Sequence, residues 1–354
     1  VGRLFRRVSW VPAVAGTAAL GLVLLAACSD SPTQPAPAAS AGTAAAAPSP
    51  AEPRGCLPAG DPAASVKGGY GVGQTEVTFV DHSRPTHAVP DRHLDARPDR
   101  TLPVVVSYPI LPAAGAAADA PAAVGAAPAS GRFPLVVLSH GVTSDGPSVA
   151  RVLAEPFVRQ GYVVASPTFP LASGPGGTVA DLANQPADVS FVITSLTTWS
   201  ETAGTPLAGH VEAKCLALAG HSLGAATTLA AAYLSCCRDA RVKAVVSMAG
   251  TLAPFKGTFA DNPPIPLLIL HGDQDTTVPL AKGQETFATL RGPRYFLTLH
   301  GANHVSMFFD KAGEVLDLSV TAFLDAYLKG NSAALRALPD DTRVAAVAAY
   351  ETAD

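Results

Sequence analysis

Three side chains far apart in the chain have the types and the order needed for nucleophilic attack on an acyl carbon: Ser222, Asp275 and His304. A serine hydroxyl is a weak nucleophile until a base takes its proton, and the base needs an acid to fix its tautomer and steady its charged form. Ser222 lies in Gly220-His221-Ser222-Leu223-Gly224, between an apolar run at 215–219 and an alanine-rich stretch at 225–234. The run reads as a buried strand and the stretch as a helix, which puts the serine on a tight strand-to-helix turn. Residues two before and two after such a serine crowd the neighbouring backbone, and Gly220, Gly224, Ala225 and Ala226 meet that demand. A Gly-rich turn around a buried serine would look the same in the pentapeptide alone, so the rest of the chain has to decide.

Asp275 lies in His271-Gly272-Asp273-Gln274-Asp275 before Val278-Pro279, and His304 in Gly301-Ala302-Asn303-His304. Each follows an apolar strand. Asp273 is the rival acid and reads as a turn-former. His300 sits at a strand end rather than in the loop beyond, and His140 and His221 flank the site as packing or hydrogen-bonding groups. The oxyanion of an acyl-transfer intermediate needs two preorganised N–H donors. Leu223, directly after the serine, supplies one. Val142, in Ser139-His140-Gly141-Val142-Thr143, supplies the other, with Thr143 as the fallback.

The elements that must bring these residues together alternate regularly. Strands are expected at 75–80, 102–108, 135–139, 162–166, 215–219, 242–248, 266–270 and 295–299. Helices are expected at 148–160, broken or bent at Pro156, and at 186–199, 225–234 and 280–290, with a last amphipathic helix carrying Leu316 to Leu328. In the second, Val189, Val192, Ile193 and Leu196 share a face, Pro186 suits the first turn and Asp188 the dipole. Near-continuous apolar strands between helices mean a mostly parallel, doubly wound sheet covered on both faces. Right-handed crossovers then place the strand carboxyl ends, and with them His140, Ser222, Asp275 and His304, along one edge. Residues 112–131, nearly all Ala, Gly and Pro, read as a flexible loop. Residues 249–266 leave room for a short loop only, so no large lid is expected.

Hydrophobic residues at 48% against 15% charged supply a large core, and a net charge of −4 gives no electrostatic reason to expect nucleic acid. Arg3, Arg6 and Arg7 precede an apolar stretch at 11–27 that ends in Leu25-Ala26-Ala27-Cys28. This reads as an export signal over 1–27 with Cys28 as a lipidated N-terminus, an uncleaved anchor being the alternative. Residues 28–65, rich in Ala and Pro, read as a disordered tether, and 66–354 as the catalytic domain. The chain is expected outside the cytoplasm, lipid-anchored to the outer face of a bacterial cell membrane, as a monomer. Cys56, Cys215, Cys236 and Cys237 then suggest disulfides, Cys215 to Cys236 or Cys237 and Cys56 to the other. Their spacing, and that of His82, His87 and His93, does not make a metal site, and Gly68 to Gly73 reads as a turn-rich lead-in rather than a phosphate loop. No cofactor is expected.

Taken together, Ser139-His140-Gly141, the Ser222 pentapeptide, His271 to Asp275 and Gly301 to His304 resemble an α/β-hydrolase over about 66–330. Within it, residues 181–189 and 236–242 are most similar to dienelactone-hydrolase-like and chlorophyllase-like bacterial esterases, near the platelet-activating-factor acetylhydrolases and cutinase-like polyester hydrolases. Dienelactone hydrolases use cysteine where Ser222 stands, so the resemblance implies ordinary carboxylic esters, and the lack of a lid, the membrane anchor and the small apolar residues near the site favour a lipid, short-acyl or polymeric one. An acyltransferase using the same acyl-enzyme, and a binding lipoprotein without catalysis, remain as alternatives.

Overall fold

The computed structural model describes residues 53, 55–57, 69–112 and 120–354, all within one compact unit, Ser49–Asp354. The expected export signal, Cys28 and most of the tether lie outside the described residues. Ten strands form one sheet: β1 (Gly71–Asp81), β2 (Arg100–Ile110), β3 (Ala123–Val124), β4 (Phe133–Ser139), β5 (Val163–Pro167), β6 (Val211–His221), β7 (Val242–Met248), β8 (Leu267–Gly272), β9 (Arg294–Leu299) and β10 (Ala348–Ala353). Their order is β10-β9-β8-β7-β6-β4-β5-β2-β1-β3. From β5 to β9 all neighbours run parallel, while β1, β2 and β10 add antiparallel margins. The chain moves outward from β4 to β5, then returns to build β6 on the other side of β4. The order therefore reverses at β4 and β6, and a crevice opens at their carboxyl ends.

Strand alternation splits the core into two faces. Val136 and Leu138 of β4 and Ala217 and Ala219 of β6 face α1 (Gly146–Val149), α2 (Glu155–Arg159) and, later in the chain, the long helix Asp310–Lys329. Leu135, Val137, Leu216 and Leu218 face α3 (Gln185–Glu201), α4 (Leu223–Tyr233) and α5 (Leu280–Thr289). The long helix is α6, followed by the short α7 (Ala333–Ala337) and α8 (Thr342–Val347). Such a two-faced, doubly wound sheet is the expected fold.

Several local expectations change. The helix expected at 148–160 is α1 and α2 joined by a π turn, Ala150–Ala154. Pro156 has no N–H and its ring would press on the carbonyl four residues back, so the chain widens before it instead of simply bending. β1 begins at Gly71, inside the supposed lead-in. There Gly73 is required because the side chains of Tyr108 and Ile110 fill the space of a Cβ. Within 112–131, the two residues of β3 pair with β1, and Tyr108 donates to the Ala126 carbonyl at 2.8 Å. β10, which no pattern announced, pairs with β9 from Ala348 opposite Leu299 to Ala353 opposite Arg294.

The expected disulfide pairing is also corrected. Cys215 bonds to Cys56, and Cys236 to Cys237. The reason lies in the period of two. Cys215 shares the parity of Ala217 and Ala219, so it points to the α6 face, whereas Cys236 and Cys237 follow α4 on the opposite face. Cys56 reaches the α6 face because its N–H and that of Leu57 both donate to the Leu328 carbonyl, at 2.9 Å and 3.1 Å.

At the carboxyl edge, the fully buried Arg100 makes two forked pairs. Nε and Nη2 donate to Asp188 at 2.6 Å and 2.5 Å, while Nη1 and Nη2 donate to Asp181 at 3.2 Å and 2.5 Å. Asp188 thus does more than complement the helix dipole, since it is also 2.9 Å from Arg84. Burial alone would weaken the guanidinium's hold on its proton, but the two carboxylates raise it above its ordinary value.

Non-reducing peptide mapping should return a Cys56–Cys215 cross-link, and Cys56→Ala with Cys215→Ala should cost about 2–5 kcal/mol in denaturant melts. Arg100→Met, which strands two buried carboxylates, should cost about 3–5 kcal/mol in the same assay.

Candidate active site

β6 runs into α4 through Ser222, whose backbone takes φ +56° and ψ −122°. That is a strained conformation for any residue with a Cβ. It is held by neighbours: the Ser222 N–H donates to the Met248 carbonyl at 3.0 Å, and the Ser222 carbonyl accepts from Ala225 and Ala226. The flanking glycines are obligatory. A Cβ on Gly220 would overlap the Gly224 carbonyl, and one on Gly224 would overlap the backbone of Ser139. The sequence demand for small residues thus comes from backbone crossing backbone where β4, β6 and α4 meet.

The acid turn follows β8. Asp275 is buried; Oδ1 accepts from the N–H groups of Thr277 and Val278, at 2.8 Å and 2.9 Å, and Oδ2 accepts from His304 Nδ1 at 2.7 Å. Burial pulls this carboxyl upward, but the hydrogen bonds from His304, Val278 and Thr277 outweigh it and lower its pKa. Asp273 behaves as the expected turn-former, accepting from the Gly301 N–H at 2.8 Å and facing His300 at 3.1 Å. With the Gln274 N–H bonded to the Ala302 carbonyl at 2.9 Å, it fastens the acid turn to the loop carrying His304. Asn303 shapes that loop further: its Oδ1 accepts from Val305 and Ser306, and Ser306 Oγ accepts from its N–H.

His304 and Ser222 line one cavity of about 440 Å³ with Val142, Thr143, Val149, Val152, Leu153, Thr277, Val305, Phe308 and Phe309. Among the described residues no hydrogen bond closes between the Ser222 hydroxyl and the His304 ring; such bonds are often long before substrate arrives. With Nδ1–H committed to Asp275, the lone pair of neutral His304 is on Nε2, as a base requires.

Three more histidines around the site are fixed by carbonyl partners. His140 Nδ1–H donates to Gly141 at 2.7 Å and its Nε2 accepts from the Phe169 N–H at 3.0 Å. His221 Nε2–H donates to the His304 carbonyl at 3.0 Å, with Phe308 edge-on at 4.8 Å. His271 Nε2–H donates to Val278 at 2.8 Å. Burial lowers the pKa of all three, and with the His304 ring alongside brings His221 down to about 3. His271 and Asn303 escaped the sequence reading; their signal was only adjacency to the motifs. The wall residues Val149, Val152 and Leu153 carried none.

Of the expected oxyanion donors, the Thr143 N–H is spent on the Ala172 carbonyl at 2.7 Å. Those of Val142 and Leu223 donate to no backbone carbonyl among the described residues, so the fallback is the weaker choice. Among the described residues no group of three or more His, Cys, Asp or Glu side chains is placed to hold a metal ion, and no helix is long and apolar enough to cross a membrane.

A parallel sheet that presents Ser222 on a strained strand-to-helix turn at its crevice is an α/β-hydrolase, here a serine hydrolase of ester bonds. The family model described as Phospholipase/Carboxylesterase matches residues 122–304, and the chain belongs to that family. No curated protein matches it. Among solved structures it is similar to a ferulic acid esterase from Streptomyces cinnamoneus, at 21% identity and a TM-score of 0.60 over 80% of this chain and 97% of that one; at that identity the likeness concerns the fold.

The buried histidines carry a pH signature. The folded His221 ring takes a proton only near pH 3, whereas an unfolded one does so near ~6.5. The unfolded state therefore binds more protons in that window, and stability falls as pH drops through it. His221→Phe should lower Tm at neutral pH but remove up to about 1.4 kcal/mol per pH unit from the acid slope. Parallel acid limbs for variant and wild type in thermal melts would refute the neutral burial of this ring.

Proposed function

We propose that this chain hydrolyses neutral carboxylic esters through a covalent acyl-enzyme on Ser222. His304 Nε2 takes the Ser222 proton as Oγ bonds to the ester carbon, and the tetrahedral oxyanion is held by the N–H groups of Val142 and Leu223. The carbon–oxygen bond to the alcohol then breaks, and His304 returns its proton to the leaving alkoxide. Water, deprotonated by His304, repeats the attack and releases the acid and Ser222. Asp275 keeps the His304 proton on Nδ1 and stabilises the imidazolium. The observation that carries this reading is the 2.7 Å Asp275–His304 pair opening, together with the strained Ser222, onto one apolar-walled cavity. A cavity wall without Asp, Glu, Lys or Arg suits lipid, short-acyl or polymeric esters rather than charged ones.

The same reading extends to location. Leu25-Ala26-Ala27-Cys28 supports export with Cys28 as the lipid-bearing residue, and two disulfides suit an oxidising compartment.

On p-nitrophenyl butyrate, Ser222→Ala should lose about 10⁶ in kcat and Asp275→Asn about 10⁴, with circular dichroism unchanged. A fluorophosphonate should label wild type at Ser222. Activity surviving in Ser222→Ala would move the nucleophile elsewhere.

A further inference from the structure

The segment following Val142 bears directly on what the cavity accepts. α1 starts on Asp145, whose side chain accepts from the Ser148 N–H at 2.8 Å, and on Gly146, whose N–H donates to Thr168 at 3.0 Å. One turn later it opens into the π turn at Ala150–Ala154. A π turn carries an extra residue, which rotates the side chains after it relative to an α continuation. Ala150 and Ala154 go to the core and Arg151 to solvent, while Val152 and Leu153 join Val149 on the cavity wall. The loop after His304 supplies a second set of lining side chains, Val305, Phe308 and Phe309.

Chemistry assigns the two walls different duties. The leaving oxygen must lie toward His304, which protonates it, so the alcohol part runs along the loop of residues 304–309. The acyl substituent turns the other way, toward the wall continuous with the Val142 donor. We propose that Val149, Val152 and Leu153 form the acyl pocket, and that Val152 sets the length of the unbranched apolar acyl chain accepted. Val149 and Leu153 are buried within the core, whereas Val152 is half-buried and packs only against its margin, so of the three it has the most room to change size.

This inference rests on the serine-esterase reading, so its test is the ratio of kcat/KM for p-nitrophenyl octanoate to acetate, with Ser222→Ala measured beside it. One methylene in an apolar pocket changes discrimination by about 10-fold or more, so Val152→Phe should lower the ratio by at least about 10-fold and Val152→Ala should raise it several-fold. Ratios in both variants within about threefold of wild type, or shifted in the same sense, overturn the proposal. If Ser222→Ala is inactive and the ratios do not move as stated, the acyl pocket alone is refuted; if Ser222→Ala stays active, the underlying reading has failed.

Discussion

The backbone of Ser222 is the constraint from which the rest of the site follows. A non-glycine residue at φ +56° stores about 1–3 kcal/mol and persists only where its surroundings do not leave it an alternative. Here they do not. β6 is hydrogen-bonded to β4 and β7 on its two sides, and α4 is buried against the same strands. With both ends fixed, the single residue between them must turn sharply, and the hydroxyl is presented at the crevice. The close passage of Gly224 over Ser139 then ties the turn to the very loop that carries Val142, so the proposed nucleophile and the proposed oxyanion donor are positioned by one contact.

Three imidazoles outside the proposed triad hold the loops that carry it. His140, His221 and His271 lie at or just past the carboxyl ends of β4, β6 and β8. Each donates to a backbone carbonyl: Gly141 in the oxyanion loop, His304 in the base loop and Val278 in the acid turn. Burial lowers the pKa of all three, which disfavours their charged forms within the site. The buried Arg100 works at one remove. Its carboxylate partners sit at either end of the passage from Asp181 into α3. The segment leading there supplies the Phe169 N–H to His140 and the Ala172 carbonyl to Thr143.

The parallel strands were legible because each is specified locally by an apolar run, and the short motifs at their ends are what single out Ser222, Asp275 and His304 for the proposed chemistry. The Cys215 pairing was not, although its cause is equally simple: the direction of one side chain follows from strand parity, but the position of Cys56 follows from contacts with Leu328, 272 residues away. β10 was illegible for another reason. Ala348 to Ala353 has weak strand propensity, and it forms because β9 offers an open edge of N–H and C=O groups. The π turn was not legible because Pro156 signals only that the helix is disturbed, not that the turn before it widens.

The site therefore combines two kinds of order. Ser222, Asp275, His304 and the Val142 loop are fixed by directional bonds, most of them to backbone groups. The apolar walls are fixed by shape alone, since the side chains of Val149, Val152 and Leu153 have no polar atom through which to bond. Removing a hydrogen bond from a buried network leaves a partner unsatisfied and is costly, whereas resizing a half-exposed apolar side chain breaks no such bond. Ester chemistry is accordingly held in the part of the structure that resists change, and the selection of the ester in the part that tolerates it.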